Sequence, residues 1–244
     1  MNLRFKAVIL SCVPYGLLWI AKANRMIKHA YKYTEEELYK FAMVIVRYLA
    51  KLARAKTIFT GHDNLPKEGG YIMYSNHQGK YDALGILLSH KNPCSIFWEK
   101  GSADKPITRQ VSKLLKCKVI SFSDMKGQMK ALMALTEDVK AGRKYLVFPE
   151  GGYTDNKNTL QEFKSGCFAC SLKSKTPIVP VAIYDSYKAM NSNTFEKVTT
   201  QVHFLEPILY EEYGNLKKNE IAELVKSRIE NKINEIEKKK TSLS

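Results

Sequence analysis

The hydrophobic residues along the chain follow two patterns, which change near residue 56. Before that point, Thr34-Glu-Glu-Glu37 has the form of a capping box, in which a threonine and the third residue after it bond the free N–H groups at a helix start. Apolar residues then recur three and four positions apart as far as Leu52. This spacing predicts an amphipathic helix that ends near Arg54.

Beyond residue 56, short apolar runs alternate with helical patterns. The predicted strands cover residues 71–75, 95–98, 118–122, 145–148, 178–183 and 201–205, and the predicted helices cover 83–90, 107–115, 125–141 and 164–173. This alternation predicts an α/β fold with a mixed, largely parallel sheet flanked by helices. Sites in such sheets form at the carboxyl ends of strands, which selects the segments after Tyr74 and Phe148.

An apolar run over residues 7–21 lies between basic residues near the amino terminus. It is shorter than the roughly 20 residues that a full membrane span needs. We interpret it as a membrane-inserted or re-entrant segment with basic anchors. A signal peptide, for which no clear cleavage site is present, and a buried core helix are the alternatives. The predicted organisation is a membrane-associated two-helix motif over residues 1–55, followed by an α/β domain over residues 56–244.

A second apolar stripe, with Ile221, Val225 and Ile229 among its members, predicts a helix over residues 219–240. Such stripes usually face a core, so we expect this helix to dock on the domain; membrane contact or a partner is the alternative.

The net charge indicates the class of partner, and the cysteine content indicates the redox setting. The chain carries 39 basic and 24 acidic residues, a net charge of +15. This balance favours a polyanionic partner, either nucleic acid, an anionic membrane surface or an acidic carrier protein. No nucleic-acid-binding motif is recognisable. Five irregularly spaced cysteines argue against a disulfide framework and fit a reducing, cytosolic setting.

The segment after the first predicted sheet strand carries His77 and Asp82. Residues five apart are about 140° apart on a straight helix, so a regular helix would not pair them. If His77 lies on the loop and Asp82 begins the next helix, the side chains can meet, and Gly79 eases the bend. A carboxylate on one imidazole nitrogen leaves the other nitrogen to take a proton from a hydroxyl nucleophile.

The second segment, Phe148-Pro-Glu-Gly-Gly152, also follows a strand. Glycines there let backbone N–H groups approach an oxyanion or a phosphate. Glu150 could hold a substrate hydroxyl or brace the loop. A plain turn is the alternative interpretation of this segment.

Taken together, Asn76-His77-x4-Asp82, then Phe148-Pro-Glu-Gly151 and then Pro177-Ile-Val-Pro180 resemble the lysophosphatidic acid acyltransferases of the glycerolipid acyltransferase superfamily. The resemblance covers about residues 56–190. It implies that His77 is the general base and that Asp82 orients it. It also implies substrate-binding roles in the blocks that hold Asn76, Glu150 and Gly151.

The same resemblance implies the substrates. The acceptor would be a lysophospholipid, 1-acylglycerol 3-phosphate, and the donor an acyl thioester on acyl carrier protein (acyl-ACP) or coenzyme A (acyl-CoA). Neither a metal nor a cofactor is implied. The enzyme would be membrane-associated, with its active site on the cytoplasmic side.

Two departures from the family pattern concern phosphate binding. Ser123 and Tyr153 stand where the family usually has arginines. Lys126 and Lys164 are near these positions in sequence, and Lys100 falls where relatives carry a lysine that reaches the phosphate. We therefore expect lysines to bind the phosphate, as point charges rather than bidentate forks. Because of these departures the identity of the acceptor stays open, and an acyltransferase acting on glycerol 3-phosphate or another lysolipid is the alternative. A non-catalytic basic module that binds membrane or nucleic acid is the alternative from a different functional class.

Overall fold

One mixed β-sheet forms the centre of the fold in the computed structural model, which describes residues 2–121 and 123–242. In the described residues the sheet has seven strands in the order β1-β7-β6-β2-β5-β3-β4. The strands are β1 (Ala55–Thr60), β2 (Tyr71–Ser75), β3 (Ser95–Glu99), β4 (Lys118–Ile120), β5 (Lys144–Val147), β6 (Ile178–Tyr184) and β7 (Val198–Phe204).

Helices cover both faces of this sheet. They are α1 (Leu3–Lys28), α2 (Glu35–Leu52), α3 (Asp82–His90), α4 (Lys100–Ala103), α5 (Thr108–Leu114), α6 (Met125–Lys140), α7 (Ala169–Ser174), α8 (Tyr187–Met190), α9 (Tyr210–Tyr213) and α10 (Lys218–Thr241). Short 3₁₀ turns lie at Ala30–Lys32, His62–Asn64 and Ser165–Phe168.

The strand directions bring several carboxyl ends to one edge. Strands β2 to β6 are mutually parallel, whereas β7 is antiparallel to β6 and parallel to β1. The predicted fold, a mixed and largely parallel sheet flanked by helices, is confirmed. Because β6, β2 and β5 are neighbours, the segments that leave these three strands emerge side by side.

Both faces of the central strands β6, β2 and β5 are buried, as is usual for strands in a parallel sheet. Along β2 the side chains alternate between two cores. Tyr71 and Met73 pack in the cluster that includes α2, α3 and α5. Ile72 and Tyr74 pack in the cluster that includes α6 and α10. Because alternate side chains of β2 are buried on opposite faces of the sheet, the position of the strand is fixed, and so is the point from which the next loop starts.

One strand was not predicted, and two predicted elements differ in kind or length from the structure. Strand β1 was missed, because its mostly exposed edge position selects polar residues such as Lys56 and Thr60 instead of an apolar run. The helix predicted over residues 164–173 is a 3₁₀ turn followed by the shorter α7, since Gly166 is a weak helix former. The strand predicted to reach Phe122 ends at Ile120, and Phe122 lies outside the described residues.

The predicted α2 begins with the expected capping box. The Thr34 hydroxyl accepts from the Glu37 N–H at 3.2 Å, and the Thr34 N–H donates to the Glu37 carboxylate at 2.7 Å. The buried face of α2 packs on the sheet in the same cluster as Tyr71. The division of the chain at residue 55 stays a prediction.

The first helix, α1, packs along one face only. Its buried residues include Val8, Cys12, Gly16 and Ala23, which follow a helical spacing. Its other face exposes large apolar side chains: Leu3, Ile9, Leu10, Val13, Tyr15, Leu17 and Leu18. Among the described residues, α1 is the helix that is long and apolar enough to cross a membrane, by length and composition alone.

A buried arginine fixes the beginning of α1 to the domain. Arg4 is 2% exposed, and its guanidinium donates to the Ala53 carbonyl at 3.1 Å and to the Thr194 carbonyl at 3.2 Å. Ala53 caps the carboxyl end of α2, where partial negative charge favours a cation. Burial, together with Arg54, lowers the pKa of Arg4. The residues next to Arg4 therefore have a fixed place against the domain.

The last helix, α10, docks on the opposite face of the sheet, as predicted. Its stripe includes Ile221, Val225 and Ile229, all buried against the second core cluster. Near its end, the Lys240 ammonium donates to the Asp185 carboxylate at 2.8 Å, at the carboxyl end of β6. The helix therefore contacts the same sheet edge from which the site residues emerge.

Candidate active site

The candidate site is assembled from the segments that leave the three central strands. Strand β2 leads into His77, β5 leads into Phe148 and Glu150, and β6 leads into Ser186. Residues distant in sequence meet because these strands are neighbours and parallel. The two segments selected from the sequence therefore leave the carboxyl ends of the neighbouring strands β2 and β5.

His77 and Asp82 are in direct contact. The His77 Nδ1 lies 2.6 Å from the Asp82 Oδ2. Asp82 is the first residue of α3, where the helix dipole favours a carboxylate, and His77 precedes the helix on the loop. A Cβ on Gly79 would lie 2.6 Å from the Asn191 Oδ1, so the glycine also permits a close approach between two loops.

The Asp82 carboxylate is completely buried and fully hydrogen bonded. Its Oδ2 also accepts from the backbone N–H groups of Gln78 at 2.5 Å and Gly79 at 2.8 Å. Its Oδ1 accepts from the Ser186 hydroxyl at 2.6 Å. A buried carboxylate is costly without such partners, and here they also fix its orientation toward the imidazole.

The His77 ring is clamped by two aromatic rings. Phe148 stacks on it with ring centroids 4.3 Å apart, and Tyr153 meets it edge-on at 4.7 Å. The His77 side chain retains 18% exposure. Within residues 2–121 and 123–242, no side chain or backbone group hydrogen bonds to its Nε2. The second nitrogen is therefore available to a substrate.

Asn76 and Glu150 brace the histidine loop. The Asn76 amide bonds both the N–H of Ile183 at 2.9 Å and its carbonyl at 3.1 Å. Glu150 accepts from the His77 N–H at 3.0 Å and from the Gln161 amide at 2.6 Å. Burial raises the pKa of Glu150, and these two hydrogen bonds oppose the shift. Asn76 and Glu150, both predicted to bind substrate, therefore form hydrogen bonds with other protein groups. For Glu150 these bonds correspond to the alternative that it braces the loop.

Gly151 and Lys164 lie against each other. Gly151 has φ +72°, and a Cβ there would lie 2.7 Å from the Lys164 Nζ. The Gly151 N–H donates to the Phe148 carbonyl at 3.1 Å and closes the turn. The oxyanion donor expected near Gly151 is therefore not its own N–H.

The other predicted lysines, Lys100 and Lys126, follow strands β3 and β4, which lie beyond β5 in the sheet. Lys100 begins α4 directly after β3, the strand beyond β5. Lys126 is in the first turn of α6, after the edge strand β4. Both are exposed, and in the described part of the chain neither makes a contact with His77 or Asp82. Ser123 is exposed in a turn, whereas Tyr153 contacts the imidazole.

The family model described as Acyltransferase matches residues 56–184, just over half of the chain. The chain belongs to the acyltransferase family. Its matched region contains His77, Asp82 and the Phe148-Pro-Glu-Gly151 turn, so the family predicted from these motifs is confirmed.

Individual relatives agree with this membership. The 1-acyl-sn-glycerol-3-phosphate acyltransferase of Borreliella burgdorferi is 25% identical over 189 residues, covering 76% of this chain and 74% of the relative. The Escherichia coli protein of the same name is 28% identical over 174 residues, covering 70% and 69%. The crystal structure of the 1-acyl-sn-glycerophosphate (LPA) acyltransferase from Thermotoga maritima shares the fold, with a TM-score of 0.70 at 21% identity over 96% of this chain and 94% of that one.

Sequence reasoning missed the contribution of β6 to this candidate site. Ser186 donates to Asp82, and its own N–H donates to the Gln78 amide at 2.9 Å. The Gln78 amide also bonds Asn158, which bonds Asp185. Burial acts to raise the pKa of Asp185, but hydrogen bonds from Lys188, Lys240 and Asn158 lower it on balance. The available signal was that a predicted strand ends at Ile183, three residues before Ser186.

No metal-binding cluster emerges from these groups. Within the described ranges, no group of three or more histidine, cysteine, aspartate or glutamate side chains could hold an ion.

We predict that Ser186→Ala lowers kcat about ten- to a hundredfold while the acceptor KM stays within about threefold. The reason is that a buried Asp82 oxygen loses its donor, which costs about 1–3 kcal/mol, and the carboxylate then holds His77 less well. Steady-state kinetics measure the split between kcat and KM.

The matched control is Ser89→Ala, which removes another buried hydroxyl, bonded to the Gly85 carbonyl further along α3. Ser186→Thr keeps a hydroxyl and should retain most activity. A wild-type kcat for Ser186→Ala would show that Ser186 does not position the dyad.

Proposed function

We propose that this chain transfers a fatty acyl group from an acyl thioester to the free hydroxyl of 1-acylglycerol 3-phosphate, which makes phosphatidic acid for phospholipid biosynthesis. The observation that carries the proposal is the 2.6 Å contact between the His77 Nδ1 and the Asp82 Oδ2, with Nε2 unbonded in the described structure. Family membership and the names of the relatives support the same reaction.

The proposed mechanism follows from this geometry. Asp82 accepts the Nδ1–H and so fixes the tautomer in which Nε2 is a base. As the acceptor oxygen attacks the thioester carbonyl, Nε2 takes the hydroxyl proton, and Asp82 stabilises the imidazolium. Collapse of the tetrahedral intermediate breaks the C–S bond, and the imidazolium returns the proton to the departing sulfur. The products are the ester and a free thiol.

The positive net charge of the protein is compatible with both substrates but does not distinguish between the two acyl donors. The net charge of +15 suits the phosphate of the acceptor, and it suits acyl-ACP as well as acyl-CoA. Lys100, Lys126 and Lys164 stay predicted phosphate ligands. Of the three, Lys164 lies against the turn that contains Gly151.

The direct test offers purified protein 1-oleoylglycerol 3-phosphate with acyl-CoA or acyl-ACP and identifies the products by mass spectrometry. Phosphatidic acid should form with at least one donor. Acylation of glycerol 3-phosphate or of another lysolipid alone would favour the alternative acceptor. No acyl transfer to any acceptor would favour a non-catalytic basic module.

In this assay, we expect His77→Ala to lower the rate about 10²–10⁴-fold, because the general base is lost. Its thermal unfolding should stay close to that of the wild type. The control is His62→Ala, since His62 is bonded to the His90 carbonyl away from the site. Near-normal turnover by His77→Ala would remove His77 from the mechanism.

We also propose that the enzyme is membrane-associated, with the active site on the cytoplasmic side. The exposed apolar face of α1, which ends in the basic residues Arg25 and Lys28, supports attachment to an anionic membrane surface. Free cysteines support the cytosolic side. Protease added to sealed inside-out vesicles should digest the domain, and full protection would place it on the other side.

We predict that Leu10→Glu combined with Leu17→Glu reduces binding to phosphatidylglycerol-containing vesicles at least about tenfold, because two carboxylates would enter an apolar environment. These side chains are 74% and 71% exposed, so packing against the domain should survive. Vesicle flotation measures the bound fraction.

The control pair is Ile58→Glu and Leu209→Glu, which are exposed apolar positions outside α1. An unchanged bound fraction for the α1 variant would show that attachment lies elsewhere.

A further inference from the structure

A lysine absent from the sequence-based predictions lies beside the catalytic histidine. Lys80 is on the loop between His77 and Asp82, and its Nζ lies 5.7 Å from the ring centroid of Tyr153. The Tyr153 ring in turn meets the His77 ring at 4.7 Å. One aromatic ring therefore separates the ammonium from the imidazole.

Two aromatic rings hold this ammonium in place. Besides Tyr153, the Phe5 ring of α1 lies 5.1 Å from the Lys80 Nζ. Ring faces attract cations, and Phe5 has a fixed place because its neighbour Arg4 is bonded to Ala53. The side chain of Lys80 is therefore directed toward Tyr153 instead of free solvent.

The charge of Lys80 has no matching anion in the described structure. No carboxylate there forms an ion pair with it, and the nearby Asp82 carboxylate already accepts four hydrogen bonds. Burial, and then the positive charge of Lys105, lower the pKa of Lys80. A half-buried cation that is repelled by a second positive charge is stabilised when an anion binds.

Position 153 explains why this cation would be needed. The resemblance of Phe148-Pro-Glu-Gly151 to the family implies an arginine at this position, where this chain has Tyr153. The tyrosine instead contacts the Lys80 ammonium.

We propose that the Lys80 ammonium, held by Phe5 and Tyr153, binds the phosphate monoester of the lysolipid acceptor and so helps select a phosphorylated acceptor. This inference rests on the proposed function. It adds a specificity-determining residue to the site, and it gives α1 a role in forming the acceptor pocket through Phe5.

The test measures binding of water-soluble 1-hexanoylglycerol 3-phosphate to the full-length protein by titration calorimetry, without donor. Lys80→Met keeps the apolar stem against both rings and removes the charge. It should raise the dissociation constant about ten- to a hundredfold, since a charge-assisted contact is lost. Lys80→Arg should stay within about threefold of the wild type.

Matched controls separate this contact from general charge and from folding. Lys91→Met removes another lysine whose Nζ lies over an aromatic ring, Phe59 at 4.8 Å, and should leave the dissociation constant unchanged. Binding of 1-hexanoylglycerol, which lacks the phosphate, should be equal for the wild type and Lys80→Met.

Three results would overturn the inference. The first is that Lys80→Met binds the phosphorylated acceptor as tightly as the wild type does. The second is that Lys80→Met loses equal affinity for both acceptors, and the third is that it raises only the KM for the thioester donor, which would assign Lys80 to a donor phosphate. If the wild type forms no phosphatidic acid, the proposed function itself fails. If it does, and Lys80→Met binds normally, only the role of Lys80 fails.

Discussion

The site depends on one buried carboxylate, that of Asp82. A carboxylate without solvent is costly unless every lone pair finds a donor, and four hydrogen bonds meet this requirement. The donors come from the histidine loop and from Ser186 after β6. Satisfying Asp82 therefore requires β2 and β6 to be neighbours, and the sheet order meets this condition. The His77 imidazole is oriented as a consequence.

The supporting residues extend this constraint to the rest of the molecule. Asn76 ties the histidine loop to Ile183, and Glu150 ties it to the turn after β5. Lys240 of α10 bonds Asp185, next to Ser186, so even the last helix contacts this network. At the other end of the chain, Arg4 fixes the start of α1, which brings Phe5 to Lys80. The helix with the exposed apolar face thus reaches the proposed acceptor pocket.

The features that could be predicted from the sequence are those that depend on local hydrophobic patterns or on a recognisable motif. Hydrophobic periodicity located most helices and strands, and the motifs led to His77 and Asp82. It did not reveal β1, because an exposed edge strand has no apolar run. It also did not reveal Ser186 or the Lys80 contacts, since these depend on which strands are neighbours and on how loops pack. Lys80 shares the Tyr153 ring with His77, a contact that a lysine's place in the sequence does not show.

The measurement that tests this account most directly is the kinetics of Asp82→Asn. The amide nearly preserves the shape of the side chain but cannot keep the charge that stabilises the imidazolium, and it favours the wrong tautomer of His77. We predict that kcat for acyl transfer to 1-acylglycerol 3-phosphate falls by about 10²–10⁴-fold while the acceptor dissociation constant changes less than about threefold. A kcat close to that of the wild type would contradict the account.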